Sequence, residues 1–417
     1  MKNALFEKNT VKLYILFLAL IVLEAFYSFL APAYNPKGDY WKTLNTLDGY
    51  KGYTISASDN KLIQFFAPLI KNYRMNGDSA GYMLLAHDFP QQYFRGHVTL
   101  LTRPLFPLMI FILSAPFHLF ITSYTITFGI GLLLNIALFF FTIVLFYTLV
   151  KKYISKDAAF LSCLLLIFSP FAHTWLIQPE TNVFGVFAFV LSLFLIHRYY
   201  QKPSFHTLVT YSLLIGTLML GKKNFAIAFF ILFLGAYAKR YKEAFLFALI
   251  HLIPSALWYL WITRVWHLPY YVDEISSFGV GVWLLNIIHL PWFQTFETFM
   301  NVVPNFITSL LYGFLVIPVL FALAGYSAIP IKRKNILASA LILSFLLLFF
   351  LMNLYIPRLS FLLFVIIYPS AALGIERIAI FFRTYNLLLA DVICVLIYLG
   401  IFILSNLNVF LFVPYGG

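Results

Sequence analysis

The stretch that decides the fold is TRPLFPLMIFILSAPFHLFI, residues 102–121, which is apolar and as long as a membrane-crossing helix. Polar and helix-breaking residues interrupt it, namely Arg103, Pro104, Pro107, Pro116 and His118. A proline inside a helix removes a backbone hydrogen bond, and an arginine in the hydrocarbon core is energetically costly. The rest of the chain decides whether this stretch crosses a membrane or lies at its surface.

The composition is that of a membrane protein with many crossings. Of the 417 residues, 62% are hydrophobic and 10% are charged, and the mean hydropathy is +0.90, which a soluble protein of this length does not show. Cys163 and Cys394 lie in apolar stretches, which leaves no disulfide framework and no zinc spacing. The net charge of +13 comes from small clusters between apolar runs. Such clusters are typical of cytoplasmic loops and not of nucleic-acid binding.

Twelve apolar stretches of about 20 residues are candidates for membrane-crossing helices. They cover residues 11–31, 102–121, 124–150, 158–174, 181–197, 205–221, 224–238, 244–263, 303–329, 336–355, 359–376 and 386–405. The first is longer than the apolar core of a signal peptide and follows several lysines, which favours an uncleaved first span.

Five basic loops indicate which candidate does not cross. These loops are residues 151–156, 198–202, 239–242, 332–334 and 377–383. With twelve crossings and a cytoplasmic amino terminus, all five would face outward, against the preference of Lys and Arg for cytoplasmic loops. Removing the weakest candidate, 102–121, moves all five to the cytoplasm. The sequence therefore predicts an all-α polytopic membrane protein with about eleven transmembrane helices, in which 102–121 lies on the outer face or dips in and returns.

This topology makes residues 1–417 a single transmembrane domain with two long outer loops. The first extracytoplasmic loop covers 32–123 and the second covers 264–302. Within the first, KLIQFFAPLIKNY at 61–73 places its large apolar residues on one side of a helix, as in helices that lie along a membrane surface. Neither an internal repeat nor a low-complexity tract marks a second domain.

A polar motif stands inside the first outer loop. It consists of Asp78-Ser79, Tyr82, Ala86, Tyr93-Phe94 and the stretch RPLFPL at 103–108. The motif resembles the first outer loop of the GT-C fold glycosyltransferases, the superfamily of the protein O-mannosyltransferases and the lipid A aminoarabinose transferases. The resemblance implies a GT-C-like fold and the transfer of a sugar from a polyprenyl-phosphate donor, with inversion at the anomeric carbon.

Three later stretches resemble the same superfamily in the expected order. SPFAHTWLIQPET at 169–181 is similar to its second outer loop, and Glu180 is the matching acid. GKKNF at 221–225 stands where many members carry a basic residue. IPRLSF at 356–361 is similar to a late outward loop in which an arginine opens a span that contains proline.

The chemistry of such a transfer needs a base and several cations. A carboxylate removes the proton of the acceptor, and cations stabilise the charge that builds on the leaving phosphate. We expect Asp78 to be the base, and Glu180 to orient the acceptor or to help hold a divalent cation such as Mg²⁺ or Mn²⁺. The cations expected to bind the donor phosphate are Arg358, Lys222, Lys223, Arg103 and Arg264.

Purely structural roles compete with these assignments. Asp78 is also a good N-cap for the helix that SAGYMLLAH predicts, and a lysine at a span end often only reaches toward lipid headgroups. Asp88 precedes Phe89-Pro90 and is expected to end that helix, while Asp88 and His87 are also candidates for acceptor or metal binding.

Other functions remain open at this stage. Glu24 lies within the first span, where a carboxylate either pairs with a neighbour or serves proton coupling in a transporter. A secondary transporter or lipid flippase is therefore the alternative, and a surface-polysaccharide polymerase or ligase is the alternative among enzymes. The expected partners are a polyprenyl-phosphate-linked sugar, membrane lipid and a glycan, lipid or protein acceptor. The expected location is a bacterial inner membrane, with the site on the extracytoplasmic side.

Overall fold

The computed structural model consists of apolar helices. It describes residues 2–30, 77–89, 103–119, 124–222, 226–267, 316–326, 342–347 and 361–383, with scattered positions between 291 and 400. These described parts contain no β-strand. The helices are α1 (Lys2–Leu30), α2 (Gly77–His87), α3 (Leu105–His118), α4 (Tyr124–Val150), α5 (Lys156–Ile167), α6 (Pro170–Trp175), α7 (Thr181–Gln201), α8 (Phe205–Met219), α9 (Ala226–Tyr237), α10 (Tyr241–Arg264), α11 (Val316–Tyr326) and α12 (Phe364–Arg383).

Serine caps set several of the helix boundaries. The Ser155 hydroxyl accepts a hydrogen bond from the amide of Ala158 and begins α5, and the Ser169 hydroxyl accepts one from the amide of Ala172 and begins α6. Each cap satisfies an amide that has no partner within its helix. Ser169 and Pro170 therefore divide the predicted span 158–174 into two helices.

Five of the described helices are long and apolar enough to cross a membrane. They are Thr10–Ser28, Ile126–Val150, Thr181–Gln201, Tyr241–Arg264 and Phe361–Phe381. The predicted all-α polytopic fold is confirmed, whereas the number of eleven spans stays a prediction. Helix α3 has 14 residues and so extends about 21 Å, less than the roughly 30 Å of a hydrocarbon core. Helices α8 and α9 are similarly short, so length alone does not identify the helices that cross.

Helix α4 lies at the centre of the bundle and packs against α1, α2, α3, α5 and α7. Burial differs strongly between helices: 67% of the apolar window of α7 lies inside the protein, compared with 17% of that of α10. Helix α7 is therefore an interior helix. Helix α10 exposes large apolar side chains such as Leu249 and Leu257, as expected of a helix that faces lipid.

The buried acid of the first span has a partner. The Nδ1 atom of His173 in α6 lies 2.9 Å from Oε1 of Glu24, and both side chains are 3% exposed. The Ser28 hydroxyl donates to the main-chain carbonyl of Glu24, so its oxygen accepts from His173, 3.0 Å away. The buried Glu24 carboxylate therefore links α1 to α6. Pairing with a neighbour was one of the two roles expected for Glu24, and proton coupling was the other.

Candidate functional site

Helix α2, which contains Asp78, is held against the bundle by two residues near its centre. The buried Tyr82 hydroxyl accepts a hydrogen bond of 3.2 Å from Nη1 of Arg103, and its ring meets Phe106 edge to face at 6.1 Å. The Met83 side chain packs on Gly131 of α4, where an added Cβ would lie 2.8 Å from the methionine sulfur. The residues that surround Asp78 in sequence thus have fixed positions.

Asp78 itself lies in the first turn of α2, which begins at Gly77. It is therefore inside the helix and not at the N-cap position that the sequence suggested. Its side chain lies outside the described part of the structure.

The segment before α7 brings Glu180 to the same part of α4. The Nδ2 atom of Asn135 in α4 donates to the Gln178 carbonyl at 2.6 Å. Pro179 packs on Gly131, where an added Cβ would lie 3.0 Å from the proline Cβ. Because Met83 packs on this same glycine, Gly131 is the point where helix α2 and the Glu180 segment meet. Glu180 is 2% exposed.

An amide connects Glu180 to the basic residue after α8. The Lys222 ammonium donates to Oδ1 of Asn182 at 2.7 Å, and Nδ2 of Asn182 donates to Oε1 of Glu180. An ammonium group can only donate, so the amide oxygen must face Lys222 and the amide nitrogen must face the carboxylate. Two oppositely charged side chains are thereby joined through one neutral dipole.

Backbone and ring contacts bring Arg103 and Lys222 to the same end of the bundle. The amide of Leu105 donates to the carbonyl of Leu220 at 3.2 Å, which satisfies a first-turn amide of α3. The Phe106 ring meets Phe184 of α7 at 6.3 Å. Arg103 and Lys222 each lie two residues from this backbone contact, so the structure brings two of the predicted phosphate-binding residues together.

Two histidines share one hydroxyl beside the carboxyl end of α2. Nδ1 of His87 lies 3.1 Å from Oγ1 of Thr127, and Nε2 of His118 lies 3.0 Å from the same atom. Burial lowers the pKa of His87, against the opposing effect of Asp88. Burial and the neighbouring His87 lower the pKa of His118. Helix α2 ends at His87, as was expected from Asp88.

The other predicted site residues are placed as follows. Arg264 is the last residue of α10 and is exposed, outside the contacts described above. Arg358 and Lys223 lie outside the described residues. In the described part of the chain, no group of three or more His, Cys, Asp or Glu side chains is arranged to hold a metal ion.

Asn182, Thr127 and His118 were not identified as site residues from the sequence. Asn182 follows Glu180 by two positions, and an asparagine at the start of an apolar helix is ordinary. The signal lay in Glu180 itself, since an acid that becomes buried at the start of an apolar helix needs polar groups around it. His118 had been counted only as an interruption of an apolar stretch.

Two comparisons with known proteins agree on the class of fold. Residues 104–266 match the family model of dolichyl-phosphate-mannose-protein mannosyltransferase. The crystal structure of the Archaeoglobus fulgidus oligosaccharyltransferase, tethered with an acceptor peptide containing the NVT sequon, superposes with a TM-score of 0.51 and 13% identity. The superposition covers 94% of this chain and 55% of that chain. A search of curated protein sequences gave no significant match.

The chain is therefore a helical integral membrane protein with the GT-C fold. The predicted resemblance to GT-C fold glycosyltransferases is confirmed: the superposition shows the fold, and the family match supports the expected enzyme class. The range matched by the mannosyltransferase family contains Glu180, Asn182 and Lys222 and begins after Asp78 and Arg103. This chain spans about half the length of the matched oligosaccharyltransferase.

Proposed function

We propose that this protein is a membrane glycosyltransferase that moves a sugar from a polyprenyl-phosphate donor to an acceptor on the extracytoplasmic side, with inversion. One observation carries the proposal: the helix that contains Asp78 and the segment that contains Glu180 meet at Gly131, next to the Arg103 and Lys222 region. An acid-bearing helix, a buried acid and two cations at one end of a membrane bundle match the needs of transfer from a lipid phosphate.

The reaction is a single displacement at the anomeric carbon. Asp78 removes the proton of the acceptor as the acceptor attacks, and the bond between the sugar and the phosphate oxygen breaks. The sugar then carries a new bond on its opposite face, and the phosphate stays on its lipid. Glu180 orients the acceptor. Its carboxylate is buried and lies at the amino-terminal end of α7.

Cations hold the lipid phosphate while its negative charge increases. Lys222 and Arg103 are supported by their position beside the contact between Leu105 and Leu220. We propose Arg358, Lys223 and Arg264 as further contributors, because sequence order gives them the same outer face. A phosphate on a membrane lipid lies at the headgroup level, where side chains at span ends can reach it.

We propose that a divalent cation, Mg²⁺ or Mn²⁺, can contribute to this mechanism without being required for it. When bound, such an ion would neutralise phosphate charge. Glu180 is the residue that we propose to contribute to holding it, and His87 and Asp88 at the end of α2 are the other candidates. Every step above is carried by the side chains of this chain alone.

The proposed acceptor is a glycan, a lipid or a protein of the cell envelope, and the proposed location is a bacterial inner membrane with the amino terminus in the cytoplasm. The matched family is named for a lipid-phosphate sugar and a protein, and the neighbouring structure holds an acceptor peptide. These names support a lipid-linked donor without selecting the sugar or the acceptor.

The test compares Asp78→Asn with wild type in proteoliposomes supplied with a labelled polyprenyl-phosphate sugar and membranes from cells that lack the protein. We expect Asp78→Asn to abolish transfer of label and to keep donor binding, because the amide retains the shape but cannot accept the proton. Asp157→Asn is the matched control, since Asp157 is an exposed acid in the first turn of α5. Retained transfer in Asp78→Asn, or movement of the intact donor across the bilayer without cleavage, would contradict the proposal.

A further inference from the structure

A group of basic side chains lies at the end of the bundle away from the candidate site. Lys152 follows the last residue of α4, and Arg198 lies in the last turn of α7. About 30 Å of helix separates Lys152 from Gly131, where α2 meets the Glu180 segment. We propose that Lys152, Arg198 and Gln201 bind the phosphate of an anionic membrane phospholipid. This role goes beyond the proposed transfer reaction and does not depend on it.

The ring of Phe194 is close to two of these cations. The Lys152 ammonium lies 5.9 Å from the ring centroid, and the guanidinium carbon of Arg198 lies 5.2 Å from it. Both basic residues are exposed. Within the part of the chain that the structure describes, neither of them forms an ion pair with an acid. Two like charges held near one ring repel each other, and an anion that contacts both removes this repulsion.

The hydrogen bonds of His197 leave donors in excess. Its Nε2 atom lies 3.2 Å from the Lys152 ammonium and 2.9 Å from Nε2 of Gln201. An ammonium can only donate, so this ring nitrogen is the acceptor. The ring hydrogen is then on Nδ1, which lies 2.8 Å from the Tyr153 hydroxyl.

One lone pair of the imidazole therefore faces two donor groups. Both Lys152 and Gln201 have further hydrogens to donate, and both residues are exposed. A phosphate has several strong acceptor oxygens and a negative charge, so it supplies what this group of side chains lacks.

An apolar stripe of α7 leads to the same place. Between residues 181 and 196 of α7, only positions 187, 191 and 194 are not buried. They are Phe187, Leu191 and Phe194, and the exposed Arg198 and Gln201 continue the same spacing of three or four residues. This spacing places all five on one side of the helix.

The stripe favours a lipid as the source of the phosphate. A phospholipid can lay an acyl chain along the apolar residues and place its phosphate at the cations, at the depth where side chains at span ends reach the headgroups. A soluble phosphate would use the cations alone and leave the stripe uncovered. A zwitterionic headgroup adds its own cation beside the phosphate, so an anionic headgroup is expected to bind more tightly.

Native mass spectrometry of the full-length protein in detergent measures this binding. The probes are dioleoyl phosphatidylglycerol and dioleoyl phosphatidylcholine, which differ in headgroup charge and share their acyl chains. We expect wild type to bind phosphatidylglycerol more tightly, and Lys152→Gln and Arg198→Gln each to weaken this binding about fivefold, which corresponds to about 1 kcal/mol for each basic residue. Both residues are exposed, so these substitutions should not prevent folding.

Two further variants distinguish a defined site from general attraction to a basic surface. Lys202→Gln is the matched control, because Lys202 is exposed in the same region and its side chain forms no hydrogen bond, ion pair or ring contact with the described residues. Gln201→Met keeps every charge and removes one donor. A defined site requires Gln201→Met to weaken phosphatidylglycerol binding and Lys202→Gln to cause a clearly smaller loss than Lys152→Gln. An equal loss in Lys202→Gln, or no loss in Gln201→Met, would overturn the inference.

The source of the phosphate is tested by competition. Glycerol phosphate should not displace bound phosphatidylglycerol when the two are present at equal concentration, because it has no acyl chain for the stripe. Displacement under these conditions would assign the site to soluble phosphates and overturn the lipid. Equal affinity of the wild type for the two phospholipids would also overturn it. Sugar transfer is not measured in this experiment, so the inference and the proposed function can fail separately.

Discussion

The buried pair between Glu24 and His173 allows a quantitative prediction about stability. Their side-chain atoms are 2.9 Å apart and both residues are 3% exposed, in the interior of a bundle that excludes water. Glu24→Met keeps the length of the side chain and removes the carboxylate. His173 then stays buried with the Ser28 hydroxyl as its remaining hydrogen-bond acceptor from this network.

The expected loss in free energy of unfolding is about 3 kcal/mol. Removing one member of a buried pair costs about 3–5 kcal/mol, because the other polar group loses its partner without regaining water. We take the lower end of this range because Ser28 still accepts from His173 at 3.0 Å. Replacing both members, as Glu24→Met with His173→Leu, leaves no such group and should cost about 1 kcal/mol, mainly the lost ring contact with Tyr27.

Unfolding from mixed micelles by increasing SDS measures these free energies. The account requires the double variant to be more stable than Glu24→Met alone. A double variant that loses at least the sum of the two single losses would refute the reasoning, because it would mean that the two residues stabilise the bundle independently. Transfer per folded molecule should be unchanged in Glu24→Met, whereas a transporter that coupled protons through Glu24 would lose its activity.

Two further predictions concern acid sensitivity and topology. The folded-state pKa values of His87 and His118 are lowered, so the unfolded chain binds more protons than the folded chain below about pH 6.5. The free energy of unfolding should therefore fall as the pH drops from about 7.5 to about 5.5. If the melting temperature of His118→Gln is as sensitive to acid as that of wild type, these histidines are not the origin of the effect. In a cysteine-free background, an impermeant thiol reagent added from outside should label Thr122→Cys and not Ile154→Cys, and labelling of the second would overturn the topology.

Hydropathy predicted the all-α membrane fold because a membrane imposes its length and polarity rules on every segment separately, whereas the count and sidedness inferred from the basic loops stay predictions. A helix must be apolar and about 20 residues long, and basic loops must face the cytoplasm. The break at Ser169 and Pro170 was missed because that stretch is apolar on both sides of the break. The partner of Glu24 was not predicted, since His173 lies 149 residues away and no local pattern specifies a contact of that range.

The charged residues of the candidate site were selected from the sequence, but the hydrogen bonds that connect them were not predicted. Glu180, Lys222 and Arg103 were selected from the sequence because charged residues are rare in this chain and stand at span ends. Asn182 was missed because an asparagine carries no charge pattern, and its contact with Lys222 depends on the packing of α7 against the end of α8. The assignment of Asp78 as the base stays a prediction, since the described structure supports the position of its helix alone.

The most direct test of the central claim is the identity of the lipid that copurifies with the protein. Native mass spectrometry of wild-type protein in a mild detergent should reveal a bound polyprenyl phosphate or its glycosylated form, and Lys222→Met should reduce its occupancy. Purified protein that retains ordinary phospholipids alone, and that does not bind added polyprenyl-phosphate sugar, would contradict the account.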